Sequence, residues 1–90
     1  MKDDILQAAI DHFGCELQQV VAMEEMSELT KELCKYRRGA KNEDRIAEEI
    51  ADVQIMLWQL RLMFGNDQDV DGYISAKLAR LQSRTKDFTQ

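Results

Sequence analysis

Ninety residues, 44% hydrophobic and 32% charged, suffice for one small folded domain and lie outside the range of disordered chains. A formal net charge of −5 disfavours nonspecific binding to a nucleic acid polymer or an anionic membrane. Proline is absent, and Ala, Leu, Glu, Lys, Gln, Arg and Met dominate over β-branched residues, which predicts an all-α chain. The two cysteines, Cys15 and Cys34, lack the spacing of a disulfide framework and read as reduced thiols of an intracellular protein. The opening MKDDILQAAI holds charges and no long apolar run, so no signal peptide or membrane span is expected and the location expected by default is cytoplasmic.

In chain order, Asp3 or Asp4 is expected to cap a first helix ending near Phe13, on which Ile5, Leu6, Ala9, Ile10 and Phe13 recur at helical steps. Gly14 marks a junction. A second helix is predicted over 15–36, with one apolar stripe begun by Leu17, Val20 and Val21 and another carried by Ala22, Met26, Leu29 and Leu33. The segment KYRRGAKN forms a basic loop around Gly39, and Asn42 or Asp44 can cap the next helix. This third helix, over 43–64, carries the most regular stripe: Ile46, Ile50, Val53, Leu57, Leu60 and Phe64. Gly65-Asn66-Asp67 ends it. A last helix is predicted over 70–86, with Val70, Ile74, Leu78 and Leu81 on one side, and the terminal DFTQ is expected to fray. The expected architecture is a compact four-helix-type bundle. A core this small is often completed by further subunits.

Two acidic clusters stand out, Glu24-Glu25-x-x-Glu28 on the second helix and Glu48-Glu49-x-x-Asp52 on the third. Carboxylates three apart on a helix share a face. On a wheel of about 100° per residue, Glu49 and Asp52 flank the Ile50–Val53 centre at roughly 60° and 120°, with Glu48 and Arg45 toward the exposed back. Glu25, Glu28 and Glu32 share an arc with Leu17 and Val21. One Glu-x-x-Glu pair is ordinary surface decoration. Two pairs on consecutive helices, each beside an apolar stripe, form a cage of like charges that a bound cation compensates most directly. Oxygen-only ligands select Mg²⁺, or Mn²⁺, over zinc. A di-iron bundle needs Glu-x-x-His on two helices. The only histidine, His12, belongs to no such motif.

Glu24-Glu25-x-x-Glu28, then 20 residues, then Glu49-x-x-Asp52, with Leu29, the basic segment around Gly39, AEEIADVQIMLWQL, Lys77 and Arg84, resembles the MazG-like all-α nucleoside triphosphate pyrophosphohydrolases. The resemblance covers about 15–84. It implies a homodimer or homotetramer that uses Mg²⁺ to cleave a nucleoside or deoxynucleoside triphosphate to the monophosphate and pyrophosphate. It also implies Glu25, Glu28, Glu49 and Asp52 as metal ligands. Glu24 is the adjacent candidate for orienting or deprotonating water, although its wheel position differs from that of Glu25. There is no glycine-rich phosphate loop, so phosphates must be held by metal and basic side chains. The candidates are Lys35 and Arg38 by the loop and Lys77 and Arg84 on the last helix. Lys77 falls within an apolar arc, where it must snorkel or meet an anion. Lys35, Arg37, Arg38 and Lys41 all surround the loop, and the four together also read as a solvated loop that balances the acidic helices. Trp58, Tyr36, Met56 and Met63 read as packing, with base stacking an option for the two aromatics. The rival function is a non-catalytic helical module that oligomerises or binds a protein partner.

Overall fold

The computed structural model describes residues 1–89, with side chains described through residue 86. Four helices account for nearly all of it: α1 (Lys2–Phe13), α2 (Cys15–Arg37), α3 (Glu43–Phe64) and α4 (Asp67–Thr89). No strand occurs among the described residues. No helix there is long and apolar enough to cross a membrane. The last helix is longer than expected at both ends, and Gln90 lies outside the described residues.

The breaks follow from glycine chemistry. Gly14 sits at φ 91°, ends α1 by donating its N–H to the Ile10 carbonyl at 2.8 Å, and starts α2. Gly65 takes the left-handed conformation (φ 59°, ψ 35°) that closes α3. Asp3 and Asp4 do not cap α1, because the helix begins at Lys2 and places them inside its first turn, beside the positive end of the helix dipole. Beyond Gly65, the Arg61 guanidinium donates to Asp67 at 2.9 Å and Asp71 at 2.8 Å, which staples the end of α3 to the first turns of α4.

Helices α2 and α3 pack antiparallel along much of their length, and α1 lies against both. Their buried side chains are Leu6, Ile10, Ala22 and Met56, together with the polar Gln18, Glu32 and Gln59. This differs from the expected stripes. On α2, Leu17, Val20, Met26 and Leu33 are exposed. On α3, Met56 and Gln59 are buried while Ile50, Leu57 and Phe64 are exposed. The buried face of α3 is therefore turned roughly 120° from its most regular apolar row. Ile46, Val53 and Leu60 of that row are half-buried, while α4, which touches only α3, leaves Ile50, Leu57 and Phe64 exposed.

After Val70 every described side chain of α4 is exposed, including Tyr73, Ile74, Leu78 and Leu81. The helix projects as an arm. The radius of gyration is 16.4 Å, against about 12 Å for a compact chain of this length. The four helices thus do not close a compact bundle within one chain.

Nothing lies within 4 Å of a Cβ built on Gly14, so the effect of replacing it is purely conformational. Gly14→Ala is expected to lower stability by about 1–2 kcal/mol, measured by urea denaturation, through the left-handed backbone alone.

Candidate metal centre

The α2–α3 packing brings one oxygen each of Glu25, Glu49 and Asp52 within 4.8 Å of one another. All three side chains are half-buried. Glu25 comes from the middle of α2, and Glu49 and Asp52 from adjacent turns of α3. The antiparallel crossing makes them meet. Six-coordinate Mg²⁺ holds oxygens at about 2.1 Å, so neighbouring ligands sit roughly 3–4 Å apart. The three oxygens, within 4.8 Å of one another, would have to draw closer to meet that requirement.

The electrostatics point the same way. Burial raises the Glu25 carboxyl above its ordinary value of 4.5, and the charges of Asp52, Glu49 and Glu28 raise it further. Asp52 lies within proton-sharing reach of Glu25. Burial also raises Glu49, followed by the charges of Asp52, Glu28, Glu48 and Glu32. The Glu49 Oε2 is buried with no hydrogen-bond partner. A carboxylate oxygen shielded from water and offered nothing by the protein is unfavourable unless a proton or a cation reaches it. The ion pairs of α2 and α3 lie elsewhere, Lys35 with Glu32 and Arg61 with Asp67 and Asp71.

Of the four expected ligands, three are gathered. Glu28 is exposed one turn along α2 and acts on Glu25 and Glu49 through its charge. Glu24 is exposed and outside the cluster. Lys35 Nζ lies 3.3 Å from Glu32, with the lysine side chain 44% exposed. Arg38 is exposed just past the end of α2. Lys77 and Arg84 are exposed on the arm, and α4 has no packing contact with α2. Trp58 is half-buried, and the Lys2 ammonium covers one face of its ring, 4.0 Å from the centroid.

Two features are less visible in the sequence. Glu32 is 2% exposed and accepts from Asn42 Nδ2 at 2.8 Å as well as from Lys35. The Asn42 bond, followed by Lys35, holds its carboxyl below the ordinary value. The available signal is the arc that Glu32 shares with Glu25 and Glu28. Arg45 is exposed but does not face the back of α3. Its charge also lowers Glu32, as its angle between Glu49 and Asp52 on the wheel requires.

No family model, no curated protein and no solved structure matches this chain.

The raised carboxyls have a thermodynamic consequence. The folded chain holds the Glu25 and Glu49 protons more tightly than the unfolded chain does. Their stabilisation is complete below the ordinary value of 4.5 and is lost as pH rises through the raised folded values. The difference in melting temperature between the parent and Glu25→Gln/Glu49→Gln in chelator is therefore expected to move against the parent as pH rises from about 4 to about 7. Saturating Mg²⁺ is expected to reverse it.

Proposed function

We propose that the chain is an Mg²⁺-dependent pyrophosphohydrolase of nucleoside or deoxynucleoside triphosphates, of the MazG-like kind. One observation carries the reading: Glu25, Glu49 and Asp52 converge from two helices, with one buried oxygen left unpartnered. The motif spacing, Glu25-x-x-Glu28 and Glu49-x-x-Asp52, supports it.

In this reading Glu25, Glu49 and Asp52 hold Mg²⁺, and Glu28 at the exposed rim completes the set or meets its water shell. The bound ion would supply charge neutralisation for the phosphates and a water of lowered pKa. Hydrolysis would join a water oxygen to the α-phosphorus and break the bond from that phosphorus to the bridging oxygen, releasing pyrophosphate and one water proton. In this reading the water proton passes to an exposed carboxylate, Glu28 at the rim or Glu24, which lies outside the cluster. Lys35 and Arg38 lie toward the loop end of the carboxylate row, where phosphate charge would be met.

The same reading includes a homodimer or homotetramer. Among the described residues four buried apolar side chains are a thin core, while Ile50, Leu57, Phe64, Ile74, Leu78 and Leu81 lie exposed. The arm segment 74–86 carries Lys77, Arg80, Arg84 and Lys86 and no acidic residue, whereas the chain as a whole is acidic. That contrast suits an arm docking on the acidic body of another copy, with Lys77 and Arg84 carried along. A non-catalytic assembly module is the second reading, and the apolar arm is the observation that favours it.

Screening nucleoside and deoxynucleoside triphosphates for pyrophosphate release, with Mg²⁺ and with Mn²⁺, separates the two. Turnover is expected for at least one triphosphate, and Glu25→Gln or Asp52→Asn is expected to lower it by more than about 100-fold. Unchanged turnover in both variants, or no turnover with any substrate, removes the enzymatic reading. Ile74→Asp/Leu78→Asp is expected to convert a dimer or tetramer into a monomer in light scattering. A parent already monomeric at high concentration removes the assembly.

A further inference from the structure

Two polar ties, one buried and one part-buried, bracket the carboxylate cluster. At one end Gln18 Nε2 donates to Gln59 Oε1 at 2.7 Å, with the two residues 6% and 4% exposed. At the other end Asn42 Nδ2 donates both to the Glu32 carboxylate at 2.8 Å and to the Glu32 carbonyl at 2.9 Å. The carboxylates fall between them in matched register. Glu25 is seven residues after Gln18, and Asp52 is seven before Gln59. Three residues after Glu25 on α2 and three before Asp52 on α3, Glu28 comes opposite Glu49.

Neither tie is what stability alone would select. The Gln18–Gln59 pair occupies core volume that apolar side chains of the same shape would fill at similar or lower free energy. Asn42 is the N-cap residue of α3, yet its side chain makes no capping bond. Its amide is directed back to Glu32, away from the usual task of an asparagine at that position. The apolar contacts at this seam are few and adaptable. Ala22 is small, and Met56 is unbranched and accepts many shapes. Apolar burial is non-directional and does not by itself select a register. A slip of one residue shifts a helix by about 1.5 Å and turns its side chains by about 100°. A metal centre tolerates about 0.5 Å.

We infer that Gln18–Gln59 and Glu32–Asn42 are register locks, positioning residues that hold the Glu25 turn of α2 opposite the Glu49–Asp52 turn of α3 so that a divalent cation meets preassembled ligands. This rests on reading the carboxylates as a cation centre. The ties act through helix placement and contribute no ligand atom. A directional hydrogen bond at each end of the seam fixes both translation and rotation, which one bond could not do.

The test is Mn²⁺ binding to the full chain, by calorimetry and by the electron spin resonance of free Mn²⁺, beside melting temperature in chelator. Gln18→Met/Gln59→Met keeps side-chain length and removes the directional bond. It is expected to melt at or above the parent temperature and to bind Mn²⁺ at least tenfold more weakly, the low end of the roughly 10–100-fold effect of supporting residues at metal sites. Asn42→Ala breaks the other tie and keeps the inference testable if the methionine pair does not fold; it is expected to weaken Mn²⁺ binding in the same way. Leu6→Ala, a core truncation on α1, is expected to melt lower with Mn²⁺ affinity unchanged. Parent-like Mn²⁺ affinity in the variants of both ties overturns the inference, as does an equal loss of affinity in Leu6→Ala. A parent that binds no Mn²⁺ overturns the cation reading itself, and the register locks with it.

Discussion

The seam between α2 and α3 places like charges where they repel. Glu25, Glu49 and Asp52 share a half-buried volume, with Glu28 at its edge, and burial removes the water that would screen them. Helices free to choose would turn such residues outward. The rest of the seam holds them in: Ala22 and Met56 buried, the Gln18–Gln59 bond below, and the Glu32–Asn42 bond above. Helix α1 and the glycine at φ 91° that connects it serve to cover this pair. The cluster is a cost that the surrounding packing must offset, and strain of that kind persists where a site uses it.

The helices themselves are legible in the sequence because glycine and loop chemistry punctuates long runs of helix formers. Asn42 sits at the N-cap position of α3 as expected, though without a capping side-chain bond, and Gly65 closes the helix. The faces are harder to read. The row Ile50, Leu57 and Phe64 has the cleanest spacing in the chain, and clean spacing suggests a burial that these three side chains do not have. Periodicity reports that a face wants an apolar neighbour, not that the neighbour belongs to the same chain. Gln18 and Gln59 give no signal at all, since a glutamine on a helix reads as solvated until its partner is seen across the seam.

For the candidate site the legible part is the chemistry, and the illegible part is which side chains meet. Glu25, Glu49 and Asp52 follow from two motifs and an antiparallel crossing. Glu28 matches its motif equally well but stands exposed, because the position of one turn relative to the seam depends on crossing geometry that spacing does not encode. The reading of Lys77 as a distant contributor rests on angle alone. Its angle on α4 is sound, but α4 leaves the body after Val70, and angle without direction does not place it.

The isolated arm gives the molecule two tiers of order. Amide protons in α2 and α3 are protected by a packed seam and should be released only when that seam opens. Past the Arg61–Asp71 bond, those of α4 have little beyond their own helix to shelter them, since every described side chain there is exposed. A lone helix of this length frays on a timescale far shorter than global unfolding. Hydrogen exchange in a dilute monomer should therefore divide the chain near Val70. Any slowing beyond that point would report on a surface that has come to lie against the arm.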